Sequence, residues 1–266
     1  MSATVSEFHY GVITPVVAYL MATLGAALGL RCTTRSLRNV RGERGLAWLT
    51  LGAVSIGCGI WTMHFIAMIG FSVQGALVGY DTSMTLLSLL VAIVVVAVGV
   101  FLVGFRGTGP LTLGAAGTFT GLGVAAMHYL GMAALRTGGT VRYDLATVAL
   151  SVVIAIVAAT AALWAAVSIS AVWATLGASL VMGGAVSLMH YTGMSAVSVQ
   201  LVAGSPAVST AGTSQLSLLL IMLAGPMTVL LLAGVIVMFD PEVVLGQGDW
   251  NAGSRTRRSV PGANRV

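Results

Sequence analysis

The chain has no lysine, and charged residues of either sign make up only 7% of its 266 positions. A soluble domain carries about 25% charged residues, so this chain lacks the groups needed to cover a folded surface against water. Cysteine is equally scarce. Cys32 and Cys58 fall at a helix end and in mid-helix, and such different depths exclude a disulfide between them, so they say little about redox compartment. The first ten residues are polar and acidic without a basic start, so no cleavable signal is expected. No glycine-rich phosphate loop, Ser-His-Asp set or HExxH pattern is present, and no other feature asks for enzymatic turnover.

What fills the chain is apolar: 58% of it is hydrophobic, arranged in long runs. A bilayer core roughly 30 Å thick needs about 20 apolar residues per helix. Seven stretches qualify, at about 11–30, 46–70, 84–104, 110–134, 146–168, 171–197 and 216–238. The expected fold class is an all-α membrane protein of seven transmembrane helices joined by short loops. It divides into a membrane domain over 1–238 and a polar, disordered cytoplasmic tail over 239–266. The net charge of +5 comes from 12 Arg against 7 Asp plus Glu. In a soluble protein that excess suggests nucleic acid. Here Arg31, Arg35, Arg38, Arg41, Arg44, Arg106, Arg255, Arg257, Arg258 and Arg265 fall on one side if helices alternate, leaving Arg136 and Arg142 on the other. That is the positive-inside signature of a multi-pass protein of the cell (inner) membrane, N-terminus out and C-terminus in, with lipid and not nucleic acid as its partner. Gly25-x-x-x-Gly29 and Gly117-x-x-x-Gly121 fit the small-residue pattern for close helix approach. Among 34 Gly such matches arise by chance, and they carry little weight.

The informative feature is a repeat. Met63-His64-Phe65-Ile66-Ala67-Met68, Met127-His128-Tyr129-Leu130-Gly131-Met132 and Met189-His190-Tyr191-Thr192-Gly193-Met194 share the pattern Met-His-aromatic-x-small-Met. Tyr80-Asp81 and Tyr143-Asp144 open the third and fifth helices in step with it, and His9-Tyr10 stands in the corresponding place before the first. The unit is a two-helix hairpin used three times, followed by a seventh helix. Two helices per unit bring every copy into the membrane in one direction, so the copies form parallel repeats about a pseudo-threefold axis. His64, His128 and His190 lie 18, 18 and 19 residues after the helix starts at Leu46, Pro110 and Ala171. At about 1.5 Å per residue all three belong roughly 27 Å from the cytoplasmic edge, just inside the outer boundary.

With this motif the chain resembles the MHYT family of bacterial membrane sensors, from about Phe8 to Met238; His190 sits in a full Met189-His190-Tyr191-Thr192, while Phe65 replaces the family's tyrosine. The resemblance implies copper bound through Met and His near the outer face, and sensing of oxygen, carbon monoxide or nitric oxide. Many relatives carry a cytoplasmic signalling domain, whereas about 27 polar residues follow the last helix here, so a separate membrane or cytoplasmic signalling partner is expected.

The residues themselves support that chemistry. Positions four apart share a helix face, so His64 with Met68, His128 with Met132, and His190 with Met194 each present an imidazole and a thioether together. Met63, Met127 and Met189 are turned about 100° away and are the lesser candidates, as is His9. Thioether selects Cu(I) and imidazole suits both copper states, whereas zinc does not take Met and haem does not explain threefold repetition. Asp81 and Asp144 are expected first as N-caps and second as acceptors from ligating imidazoles. Cys58 reads as packing. Trp61 and Trp173 either anchor or pack. Two other functions compete with a copper sensor: an accessory subunit of a larger membrane redox complex, and a copper transporter or chaperone. The transporter lacks a polar path across the inner halves of the motif helices.

Overall fold

The computed structural model describes residues 2–3, 5–6, 10–37, 43–74, 78–137, 139–169, 171–201 and 215–240. Seven helices follow one another: α1 (Ile13–Leu37), α2 (Glu43–Ile69), α3 (Thr82–Arg106), α4 (Pro110–Ala133), α5 (Leu145–Ser168), α6 (Val172–Ser195) and α7 (Gln215–Met238). All seven are long and apolar enough to cross a membrane. Their surface is inverted relative to a soluble protein. Leu90, Val94 and Val98 of α3 and Val153 and Val157 of α5 are exposed, while Thr85, Ser88, Ser151 and Ser179 are buried. Apolar surface on that scale requires lipid.

The first six helices close a ring in chain order, with α6 returning to α1, and α7 packs outside it on α2 and α1. Between the helices the chain does not run as plain loops. Among the described residues it forms seven short strands: β1 (Ser2–Ala3), β2 (Val5–Ser6), β3 (Ser72–Val73), β4 (Gly79–Tyr80), β5 (Leu135–Arg136), β6 (Gly139–Tyr143) and β7 (Val197–Leu201). The pairings β2–β3, β4–β5 and β6–β7 are all antiparallel. In each the strand before a hairpin's first helix pairs with the strand after its second, so the repeating unit is strand–helix–helix–strand. β1 then pairs with β7, tying the first repeat to the third. β7 alternates as a half-buried strand should: Val197 and Val199 are buried and Ser198 is exposed.

Sequence explains where α3 and α5 begin. Asp81 (φ −74°, ψ 117°) accepts a hydrogen bond from the Met84 amide, and Asp144 (φ −77°, ψ 114°) from that of Thr147. Each thereby satisfies an amide that the first helical turn leaves unpaired. The amides of the two caps donate in turn to the carbonyls of Ala134 and Ala196, at 2.8 and 2.9 Å, the residues that end α4 and α6. The capping role expected of both aspartates is the one they occupy.

Both GxxxG patterns are used in packing, against the little weight that chance gave them. A Cβ on Gly25 would lie 2.7 Å from the Cα of Gly59, and one on Gly29 2.1 Å from the Ile56 side chain. Gly117 and Gly121 approach Thr160 and Ile156 of α5 as closely. Without a hydrophobic force between helices in lipid, backbone proximity of this kind is what joins them. α1 runs to Leu37, beyond its expected end near residue 30, because an ion pair and a ring hold its last turn. The Arg35 guanidinium pairs with Asp240, just past α7, at 2.9 Å and lies 6.0 Å from the Trp48 ring. Trp61 is fully buried and donates to Ser88 Oγ at 3.0 Å, so it packs; Trp173 is exposed. The expected tail beyond Asp240 lies outside the described residues.

Candidate metal centre

α2, α4 and α6 each carry one motif histidine, and the ring brings all three to its axis. The Nδ1 atoms of His64 and His190 are 3.0 Å apart, those of His128 and His64 3.2 Å, and those of His190 and His128 3.3 Å. The rings meet nearly at right angles, with interplanar angles of 79–87°, like three blades of a propeller. All three histidines are buried to within 1%. Each imidazole is edge-on to the aromatic residue that follows it, with centroid distances of 4.7 Å for Phe65, 4.8 Å for Tyr129 and 5.0 Å for Tyr191. The aromatic position thus walls the histidine of its own copy.

The small position has a different task. A Cβ at Gly131 would lie 2.4 Å from Nε2 of His64, and one at Gly193 2.5 Å from Nε2 of His128. The glycine of each copy seats the histidine of the copy before it. The motif displays the need for a small residue there, but its reason becomes visible only across repeats. The Tyr-Asp element also bridges copies: Tyr80 meets Phe65 and Tyr143 meets Tyr129 edge-on, each at 5.9 Å. Tyr80 donates its hydroxyl to the Met68 carbonyl at 3.2 Å. Burial pushes the phenols of Tyr80 and Tyr143 up.

The six methionines are all buried and fall into two layers. Met63, Met127 and Met189 belong to the large core of the helix ring. Met68, Met132 and Met194 pack with Phe71, Val73, Leu135, Val197 and Val199 beneath the strands. The histidine layer lies between them, since the two sets precede and follow it by one and four residues in each copy. Asp81 and Asp144 stay outside the helix ring as caps. The Arg136 guanidinium, 2.8 Å from Asp81, and the Met84 amide hold the Asp81 carboxyl below its usual range. The Thr147 side chain and amide do the same for Asp144. Cys58 packs against Leu28, Leu230 and Ala233, in a separate cluster from the histidines. His9 lies outside the described residues.

Three Nδ1 atoms this close leave no room for three ring hydrogens aimed at one point, whereas a cation is well served. The centre of a triangle with these sides lies about 1.8 Å from each corner, slightly inside the roughly 2.0–2.1 Å typical of a metal–imidazole bond. A shift of a few tenths of an ångström fits the three residues to a metal ion, and among the described residues they form a group with ligand atoms within 4.8 Å of one another.

Residues 57–116 and 121–179 each match the family model MHYT, described as the N-terminal repeat of bacterial signalling proteins. The chain is 43% identical over 166 residues, 60% of its length and 24% of the relative's, to the bifunctional diguanylate cyclase/cyclic di-GMP phosphodiesterase MucR of Pseudomonas aeruginosa. It is 38% identical over 196 residues to the cyclic di-GMP phosphodiesterase NbdA of the same organism, covering 71% of this chain and 25% of that one. An uncharacterized signaling protein of Caulobacter vibrioides is 38% identical over 184 residues, 68% of this chain and 22% of its own. The chain therefore spans about a quarter of the length of the curated relatives it matches. No solved structure matches it.

Proposed function

This chain belongs to the MHYT family of bacterial signalling membrane proteins, and from that premise we propose a membrane sensor whose detecting group is copper held by His64, His128 and His190. The observation that carries the reading is the triangle of buried Nδ1 atoms, 3.0–3.3 Å on a side. Charge argues for the metal. The aspartates nearest the motif in the chain are exposed caps, and an unpaired charge is expensive to bury, so a monovalent ion suits this all-neutral donor set better than a divalent one. Sulfur argues the same way, because thioethers select Cu(I). Met68, Met132 and Met194 are the first candidates for added sulfur ligands and Met63, Met127 and Met189 the second. When bound, copper supplies two oxidation states and a position open to a diatomic gas. The chain's own residues hold the imidazoles: Gly131 and Gly193 seat them, the aromatics wall them, and the methionine layers keep water out.

The orientation we propose is N-terminus out and C-terminus in. Arg31, Arg35, Arg44 and Arg106 gather at the end away from the strands, against Arg136 and Arg142 beside them. The metal site then faces outward, and the signal leaves through the cytoplasmic end. Two relatives are named for cyclic di-GMP turnover, so the output we propose is control of that chemistry, in a following domain or a separate partner. Reporter fusions at Gly109 and Thr137 should read cytoplasm and exterior respectively. For the metal, elemental analysis and electron paramagnetic resonance of the purified protein should find copper. His64→Ala, His128→Ala and His190→Ala should each lose most of it while Cys58→Ala keeps it. Unchanged copper in all three histidine variants would sink the reading.

A further inference from the structure

Directly beneath the histidine layer, toward the arginine end, the ring holds a partly open apolar cavity of about 60 Å³. Its lining follows the repeat. Ile60, Val124 and Val186 line it, each four residues before a motif histidine, and Ile56, Thr120 and Met182 line it, each eight before. Residues spaced by four share a helix face, so the cavity lies below the imidazoles, lined by all three motif helices, about 6 to 12 Å from them along the helices. Met189, next to His190 in the chain, also lines it; the cavity and the metal site share a wall.

The rest of the lining comes from α3, through Val96 and Val100, and from α5, which contributes Ala155, Ala159, Ala162 and Ala166. These alanines fall on one helical face, and their short side chains are what leave the space open. The opposite face of α5 is exposed through Val153 and Val157, so on this side the cavity lies one helix of small residues away from the bilayer. Water is a poor occupant. It needs two to four polar partners, and only the Thr120 hydroxyl is offered. That hydroxyl is 94% buried with its residue and has no hydrogen-bond partner among the described residues. An ion is worse still. Size excludes larger guests: an apolar cavity near 150 Å³ takes up benzene or xenon and stays dry otherwise, and this one is less than half of that.

We infer that this chamber is a binding site for a small apolar gas of diatomic size, entering from the lipid past α5 and resting one helical turn below the histidines. Such gases dissolve better in hydrocarbon than in water, so the bilayer is the richer source. The inference rests on the copper reading for the gas's destination but not for the existence of the site.

The test uses the full chain in detergent micelles, methyl-labelled, under dissolved O2. Paramagnetic shifts are compared between the methyls of Ile56, Val124 and Met182 in the chamber and those of Val94 and Val181 on the lipid face. The chamber methyls should shift more, and Ala159→Phe, which fills the space, should abolish the difference. If that variant fails to fold, Ala159→Leu should reduce it. Equal shifts in chamber and lipid-facing methyls, or an excess that survives the filling variant, would overturn the inference. So would cross-relaxation between the chamber methyls and detergent tails, which marks an acyl-chain groove. Copper is measured on the same samples. Copper bound without a chamber response removes this inference alone, and a chamber response without copper leaves it standing while the metal reading falls.

Discussion

The two ends of the helix ring are made from the same six helices on different plans. At the strand end the main contacts follow the repeat: three histidines in a triangle, three aromatic walls, two methionine layers and three strand pairs, with β1–β7 added to them. At the arginine end the symmetry is gone. There α7 packs mainly on α2 and α1, and an ion pair between Arg35 and the buried Asp240 joins it to α1. Repetition is kept where the three imidazoles meet at the ring's axis. It is abandoned where α7 is added to the outside of the ring.

The comparison can be broken most directly at the glycine seats. Gly131→Ala or Gly193→Ala puts a methyl within 2.4–2.5 Å of an imidazole nitrogen, so the ring must move. Disturbing a ligand's support weakens metal affinity by about 10–100-fold, and a fall of that size in copper affinity is expected. Gly177→Ala at the arginine end, where a Cβ would meet nothing within 4 Å, should leave it unchanged. Equal effects at the two ends would mean the seats do not position the histidines.

The reverse experiment strikes the asymmetric end. Arg35→Met removes the guanidinium 2.9 Å from the buried Asp240 carboxylate, and breaking a largely buried pair costs on the order of 3 kcal/mol. Thermal melting in detergent should show that loss while copper content holds. A parallel loss of copper would show that the two ends are not independent.

A finer cut separates the methionine layers. Exchanging Met68, Met132 and Met194 for Leu removes sulfur but keeps apolar volume, at less than about 1.5 kcal/mol of stability per site. Copper affinity should drop in that set and survive in the matching set at Met63, Met127 and Met189. The opposite result would place the ligands in the inner layer.

The smallest effect belongs to the caps. The carboxyl of Asp81 is held low by the Arg136 guanidinium and the Met84 amide. Its stabilisation is therefore present above the unfolded carboxylate pKa and is lost as pH falls through the lowered folded value. Acid melting curves of Asp81→Asn should lie slightly below wild type at neutral pH and converge with it in acid. Curves that stay parallel would deny the cap a charge-dependent role.

The seven helices and the shared depth of the histidines were legible because hydropathy and rise per residue are local properties that a repeat states three times over. The convergence of His64, His128 and His190 followed from repeat symmetry. The strands were not legible. Val5 pairs with Val73 and Gly79 with Arg136, and runs of two residues acquire their conformation from partners far along the chain. The Arg35–Asp240 pair and the chamber wall of α5 were hidden for the same reason: each depends on which helix stands beside which. The glycine seats were half legible, since the motif shows that the position is small but not whose side chain fills the space.

A centre of this shape is also what a trimer of identical hairpins would build, and the covalent joining of its copies has a consequence for how it can change. In a trimer every substitution arrives three times on the axis, so any variant seat or wall must suit all three at once. Joined in one polypeptide, the copies are released from that rule. The first already holds Phe65 where the others hold Tyr129 and Tyr191, and Ala67 where they hold Gly131 and Gly193. One imidazole can therefore be adjusted while two stay as they are, and the properties of the centre can drift in single steps.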